Sequence, residues 1–409
     1  MRIAVIFKNS FLRRWTMVLY RLMTSSIYTI SEKMKILLTI HHCLDINSGA
    51  SGSVLRLGQI YQQKGHEVYY LSHDDLPKGL SGKLFPLFAA LSIHQLNKKH
   101  QFDVVDASTG DAWIWGKFIR RFAANKPLLV TRSHGLEHSV HLSEVEESRL
   151  GNLHLSWKYP FYHGGFLLWE VSNSLHCADL VFLLNSQDLK YTNQVLGVPI
   201  ERLHTTPNGI PDEFLNLPFT PLDANNSLIK IACIGSYIAR KGVQYSVPAL
   251  NQILDRYPNV SVSFFGTLCS KDVVYNDFKP SVLDRVHVLP SFSHSNLPNL
   301  LKGFSIKLFT PICEGFGKVL IEAMSCGLAP VTTKAEGPLD IVRDGYDALL
   351  VPLRDSIAIE EALERLIKDH SYLEEIRCNA YTTSQKYSWI NAANQRLALY
   401  SSNLIKNHV

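Results

Sequence analysis

The feature that most restricts what this chain can fold into is an alternation of short apolar runs with helical stretches, carried through twice. KILLTIHH (35 to 42) is followed by a glycine loop, an amphipathic stretch within SGASGSVLRLGQIYQQKGHEV (48 to 68), a glycine stop at Gly65, and a second run, VYYLS. That is a βαβ unit: a run of four to eight apolar residues suits a strand buried on both faces, and a parallel neighbour requires a helical crossover. FDVVDA (102 to 107), PLLVTRSH (127 to 134), DLVFLLN (179 to 185) and the segment up to TTPNGI (205 to 210) continue the first series. A second series runs through IKIACIG (229 to 235), VSVSFFG (260 to 266), RVHVLPS (285 to 291), FSIKLFT (304 to 310), APVTT (329 to 333) and ALLVP (348 to 352). Between them PDEFLNLPFTPLDANNS (211 to 227) is rich in Pro, Asn and Asp and reads as a linker. The pattern predicts an α/β chain with two Rossmann-like doubly wound domains, residues 34 to 213 and 214 to 386, and a last helical segment within 387 to 409, from about Trp389 to Asn403.

Composition narrows the class. A hydrophobic content of 46% with 19% charged residues describes an ordinary globular protein. Seven scattered cysteines without a C-x-x-C pair point away from a disulfide framework or zinc site and towards a reducing, cytoplasmic compartment. No apolar run reaches the roughly 18 residues of a membrane span. Residues 1 to 33 carry Arg2, Lys8, Arg13, Arg14, Arg21 and Lys33 against Glu32, which accounts for the whole net charge of +5. The remaining chain is neutral in sum, and nucleic acid is not implied as a partner. In that first segment Phe11, Trp15, Val18, Leu19 and Leu22 recur at helical spacing with arginines largely opposite. Two readings stand. It is a basic amphipathic helix for an anionic membrane surface, giving peripheral contact at the inner face, or it is an upstream extension before a start at Met34.

The chemistry concentrates in TPICEGFGKVLIEAMSCGLAPVTT (310 to 333). Glu314 precedes a Gly315-Phe316-Gly317 turn, and Glu322 lies one to two turns into the helix that Gly317 opens. Val319, Leu320, Ile321, Ala323 and Met324 make that helix apolar nearly all round, so Glu322 is expected to be buried rather than a solvated surface charge. The glycine turn offers free N–H groups and a positive helix end to a phosphate. Glu322 offers a carboxylate to a vicinal diol, and Glu314 a carboxylate from a loop. In order, these match the ribose, diphosphate and sugar of a nucleotide-sugar.

This segment resembles the donor-binding motif of retaining glycosyltransferases of family 4, which have the GT-B fold; the resemblance covers residues 34 to about 402. It implies two domains facing across a cleft, with the C-terminal helix crossing back to the first. It implies that Glu314 contacts the donor sugar and Glu322 the nucleotide ribose. In IGSYIARKGV (234 to 243) Lys241 holds the family's diphosphate-contact position. Ser236 stands where the family commonly has Arg, so Arg240 is the candidate replacement for that charge. In TRSHGLEHS (131 to 139) His134 matches the histidine facing the donor sugar, while Glu137 and Arg132 read equally well as loop salt-bridge members. Ser48 replaces the first of the family's paired glycines and Gly49 keeps the second, a backbone approach to the donor. Pro207-Asn208-Gly209 reads as a structural turn with an unusual dihedral at Gly209, Glu336-Gly337-Pro338 as a plain turn, and SWKYPFYHGGFLLWE (156 to 170) as packing of the first domain.

The function so implied is transfer of a sugar, of hexosyltransferase type, from a nucleotide diphosphate-sugar to a hydroxyl acceptor, lipid-linked or saccharide, in glycolipid or polysaccharide synthesis. Catalytic roles fall to His134, Glu314 and Lys241. Donor binding falls to Glu322, Arg240, Gly315, Phe316, Gly317 and Gly49. No cofactor or metal is expected, since no Asp-x-Asp occurs at a strand end. The alternatives are a nucleotide-sugar epimerase of the same fold and a catalytically silent GT-B binding protein. A nicotinamide dehydrogenase is disfavoured because G-x-G-x-x-G is missing from both halves.

Overall fold

The computed structural model describes residues 33 to 222 and 228 to 407. The helical reading of residues 11 to 22 therefore lies outside the described residues. From Lys35 the chain builds two six-stranded, wholly parallel sheets. The first holds β1 (Lys35–Ile40), β2 (Glu67–Ser72), β3 (Val104–Ser108), β4 (Leu128–Arg132), β5 (Leu180–Leu183) and β6 (Leu203–Thr205), in the order β2-β1-β3-β4-β5-β6. The second holds β7 (Ile229–Ile234), β8 (Val260–Phe265), β9 (Val286–Leu289), β10 (Ile306–Phe309), β11 (Ala329–Thr333) and β12 (Leu349–Val351), in the order β12-β11-β10-β7-β8-β9. Every strand of the sequence reading is present, with ends that differ by at most a few residues. β3, β4, β5, β10 and β11 are buried at every position, as expected of parallel strands covered by helices on both faces.

The order reverses between β1 and β3 in the first sheet and between β7 and β10 in the second. In an open α/β sheet the crevice beyond the carboxyl ends of two such strands is where ligands bind. The loops that leave β7 and β10 are those carrying Lys241 and Glu314.

Helix Trp389–Asn407 packs on helix Gly49–Gln63 and on β4, so the chain's last helix returns to the first sheet. A buried polar network fixes it there. Tyr400 donates from its hydroxyl to Asp106 Oδ2 at 2.5 Å. Asp106 Oδ1 pairs with Arg132 at 3.1 Å, and Arg396 donates to the Thr206 carbonyl and Asn208 Oδ1. Arg132 thus serves the core rather than a loop. The Pro-Asn-Gly turn is structural, but Gly209 needs no unusual dihedral. It is required because an added Cβ would lie 2.3 Å from the Trp389 backbone nitrogen.

The segment 156 to 170 departs from its reading as packing. Tyr159 and Glu170 are buried, whereas Trp157, Phe161, Phe166 and Trp169 are exposed.

Candidate functional site

Helix Lys318–Ser325 starts on Gly317, whose φ of 93° is open to glycine. It ends in a Schellman motif. Leu328 donates its N–H to the Ala323 carbonyl and Gly327, at φ 79°, to that of Met324. The helix is short and capped on both sides by glycine, so the position of Glu322 is tightly set. Glu322 is 2% exposed. One carboxylate oxygen lies 3.0 Å from His294 Nε2, and the other has no hydrogen-bond partner among the described residues. A buried carboxylate oxygen without a donor costs about 1–3 kcal/mol. Glu322 lines a cavity of ≈ 190 Å³ with His294, Lys318, Arg56 and the Ser48–Gly49 loop of the first half.

Glu314 sits at the end of the β10 loop. Its carboxylate pairs with Lys241 Nζ at 2.5 Å, so the two groups expected at the sugar and the diphosphate are held against each other. The backbone of Glu314 is clamped by the Glu336-Gly337 segment. Glu336 Oε2 accepts the Glu314 N–H at 3.3 Å, and Gly337 donates to the Glu314 carbonyl at 2.8 Å. This segment opens helix Glu336–Ile341, and it positions Glu314 rather than forming a plain turn.

The two halves meet at backbone distance. A Cβ added to Gly315 would lie 2.6 Å from Gly135 Cα and 3.3 Å from the His134 carbonyl oxygen. Gly315 is needed for the His134 and Glu314 loops to touch, while Gly135 is required by its φ of 131°. Asn185 Nδ2 donates to the Gly315 carbonyl at 2.8 Å, and Ser186 donates twice to Asp340. Phe316 is buried and packs edge-on against Tyr387. His134 is half-buried, with Nε2 3.0 Å from Ser108 Oγ. Burial, reinforced by the nearby Arg132 charge, holds its pKa well below the usual histidine range, so the ring is neutral at physiological pH. Gly49 is open on its Cβ side, while its carbonyl accepts from Lys318 Nζ at 2.7 Å.

The structure thus gathers Lys241, Glu314, Gly315 and the His134 loop at one point of the cleft, and Glu322 and Gly49 in one cavity. It does not bring Arg240 into the Lys241–Glu314 pair. Arg240 is exposed, and its side chain makes no hydrogen bond or ion pair among the described residues.

Sequence reasoning missed three features. His294 holds Glu322 from the turn after β9. Lys318 crosses the cleft to Gly49 and Ser53; burial lowers its pKa. At the β1/β3 reversal His41 Nδ1 lies 2.7 Å from the buried Asp111. Burial alone would lower the His41 pKa, but the Asp111 charge and hydrogen bond raise it. His41 directly follows β1, a strand-end position that could have drawn attention to it. Glu137 accepts from Thr109 Oγ1 at 2.5 Å, and burial raises its pKa. Among the described residues it makes no salt bridge of the kind considered from sequence. Among the described residues no group of three or more His, Cys, Asp or Glu could hold a metal ion.

Two doubly wound domains facing across a cleft, with Glu314, Glu322 and Lys241 gathered on the second, have GT-B architecture. Comparisons agree. The family description "Glycosyl transferases group 1" matches residues 220–383, and "Glycosyltransferase Family 4" matches residues 47–214. The chain belongs to the group 1 glycosyltransferases. It is 27% identical over 216 residues to the phosphatidylinositol N-acetylglucosaminyltransferase gpi3 subunit of Schizosaccharomyces pombe, a match covering 51% of this chain and 45% of that protein. The chain therefore spans less than half the length of that relative. It is 21% identical over 289 residues to the UDP-Gal:alpha-D-GlcNAc-diphosphoundecaprenol alpha-1,3-galactosyltransferase of Escherichia coli, covering 68% of this chain and 70% of that one. Among solved structures, sucrose-phosphate synthase from Thermosynechococcus elongatus shares the fold at a TM-score of 0.74 and 18% identity, over 91% of this chain and all of that one.

Proposed function

We propose that this glycosyltransferase moves a hexosyl group from a nucleotide diphosphate-sugar to a hydroxyl on a lipid-linked acceptor, with retention of anomeric configuration, at the cytoplasmic face of a membrane. The observation that carries the donor reading is Glu322: a buried carboxylate with one oxygen unpaired, in a cavity shared by both domains. A ribose diol supplies the donors that oxygen lacks. The acceptor reading draws support from the two relatives, whose names specify phosphatidylinositol and alpha-D-GlcNAc-diphosphoundecaprenol.

In this reading the Lys241–Glu314 pair is the resting arrangement. An incoming diphosphate draws the Lys241 ammonium away, and Glu314 is left to accept a sugar hydroxyl. As the glycosidic bond breaks, charge grows on the departing diphosphate, where Lys241 and the N–H groups of the Gly315–Gly317 turn stabilise it. Lys318 adds a second cation to the Glu322 cavity. The neutral His134 ring binds a sugar hydroxyl, and its backbone carbonyl faces the developing positive charge on the sugar. No metal is required for these steps.

The test is a thermal-shift panel of UDP-, GDP- and ADP-sugars. A ligand at 100 times its dissociation constant stabilises by ~2.7 kcal/mol. One nucleotide series should raise the melting temperature of the wild type clearly more than that of Glu322→Ala, since a tenfold loss of affinity about halves the stabilisation at this concentration. An equal response from both proteins would remove the donor from this cavity.

A further inference from the structure

The neutral sum of residues 34 to 409 conceals an uneven distribution. Segments 77 to 100, 112 to 127 and 151 to 169 of the first domain contain nine Lys and Arg (Lys78, Lys83, Lys98, Lys99, Lys117, Arg120, Arg121, Lys126 and Lys158) and neither Asp nor Glu. These segments also carry the largest exposed rings of the domain: Trp157 is 75% exposed, Phe161 72% and Phe122 70%.

Trp157 and Phe161 pair at 6.3 Å, and a second set of rings is linked through the buried Trp113. Phe118 meets Trp113 at 6.2 Å, Trp113 meets Trp169 at 4.9 Å, Trp169 stacks on Phe166 at 5.6 Å, and Phe166 lies 6.4 Å from Tyr162. Cations are seated among them. Lys83 Nζ lies 4.0 Å from the Tyr162 ring centre, Lys117 Nζ 6.0 Å from that of Trp169, and Lys158 Nζ 5.4 Å from that of Trp157. Much of the aromatic face comes from two π-helical turns, Trp115–Ile119 and Tyr162–Phe166. A π turn adds a residue to the helical repeat and marks functional positions more often than ordinary helix does. Beside them Leu84, Leu87 and Leu91 are exposed at helical spacing along the start of helix Phe85–His100, which packs on the first π turn.

Exposed aromatics interleaved with Lys and Arg, without acidic residues, suit the interface of an anionic bilayer. Rings sit at the headgroup level, and ammonium and guanidinium groups meet lipid phosphates. We infer that this face of the first domain docks on an anionic membrane surface, bringing the carboxyl ends of its strands to a lipid-linked acceptor. Trp113 anchors this chain of rings in the domain, because its Nε1 donates to the buried Glu170 at 3.0 Å. The inference rests on the lipid-acceptor reading for its purpose, while the docking itself is measurable without any acceptor. Among the described residues no helix is long and apolar enough to cross a membrane, so contact through this face is peripheral.

The full chain is tested by sedimentation with vesicles of phosphatidylcholine alone and of phosphatidylcholine with 30% phosphatidylglycerol. Wild type should partition to the anionic vesicles and be released from them at about 1 M salt, where the Debye length is about 3 Å. Each cation near an anionic leaflet is worth about a fivefold gain in partitioning. Arg121→Glu with Lys158→Glu should therefore lower binding to the anionic vesicles at least about twentyfold. Trp157→Ser with Phe122→Ser should lower it independently of salt. These positions are exposed and outside the donor site, so the nucleotide-induced thermal shift of each variant should equal that of wild type. That shift also separates a failed donor site from a failed membrane face. Wild-type partitioning by both variant pairs would overturn the inference. So would a wild type that ignores vesicles but self-associates through this face, because the surface would then be a protein interface.

Discussion

Lys307 offers a sharp test of the second domain's physics. It lies in the middle of β10 and is 0% exposed. Its ammonium has no hydrogen-bond partner among the described residues, and the Phe309 ring centre is 5.4 Å away. Burial pushes its pKa down to about 7 from 10.5. Lowering a lysine's pKa penalises folding wherever the unfolded chain is protonated. Between about pH 7 and 10.5 the unfolded state binds the extra proton, so stability rises with pH across that window. Below pH 7 both states are protonated and this contribution is flat. At 1.36 kcal/mol per pKa unit the penalty is about 4 kcal/mol at pH 7 and about 2 kcal/mol at pH 9. Lys307→Met keeps the volume and removes the charge, so it should stabilise the protein most near pH 7, with the advantage shrinking by about 1 kcal/mol per pH unit above it. Urea unfolding followed by circular dichroism at pH 7, 8 and 9 reads the difference directly. Tryptophan fluorescence would miss it, since β7 to β12 and the helices between them contain no tryptophan. A difference that does not change with pH, or a variant less stable than wild type at pH 7, would mean that Lys307 is partnered in solution and that its burial is not costly.

Other perturbations address the cleft. Glu322→Ala should weaken nucleoside diphosphate binding about tenfold or more, because hydrogen bonds to a charged group are worth ~1.5–3 kcal/mol; calorimetry checks this, and unchanged affinity would exclude the ribose from Glu322. Lys241→Ala should cut turnover by about 10² to 10³ while donor affinity falls less. Arg240→Ala should stay near wild type, and a comparable loss there would put the missing charge at Arg240 after all. Gly315→Ala places a methyl group 2.6 Å from Gly135 Cα, so the two loops must part. An overpacking cost of roughly 1–3 kcal/mol predicts a turnover loss of about five- to a hundredfold in a folded protein; full activity would mean that catalysis does not need this contact.

The strands were legible because a parallel strand buried on both faces writes itself as an apolar run, and such runs are local. Glu322 was legible for the same reason: an apolar helix around one carboxylate implies burial, whatever lies beyond. Arg240 shows the limit of local reasoning. It neighbours Lys241 in the chain and lies close to the missing charge at Ser236, yet a short turn sends adjacent side chains in different directions, and the Lys241 side chain alone meets Glu314. Gly209 was recognised as special for the wrong reason, because the Trp389 backbone that it accommodates lies 180 residues away in sequence.

Across the cleft the limit becomes one of pairing. Gly315 looks like an ordinary turn glycine, and only its contact with Gly135 explains why it tolerates no side chain, whereas Gly135 is fixed by its own φ of 131°. Lys318 sits where a helix begins, and nothing near it in sequence indicates that its ammonium reaches Gly49 in the other domain. The same holds for charge. A neutral sum over 376 residues is compatible with an even mixture, but it is equally compatible with segments rich in cations balanced by acids elsewhere, and only the fold decides which. What a motif fixes is the chemistry of a group. What the fold adds is the partner: the side-chain partners of Glu314 and Glu322 come from the second domain, and several backbone partners come from the first, with His134 and Gly135 against Gly315, Gly49 against Lys318, and Asn185 against the Gly315 carbonyl. The catalytic arrangement therefore belongs to the closed cleft as a whole, which is why adding a methyl group at Gly315 is expected to disable a site whose acids and cations all remain in place.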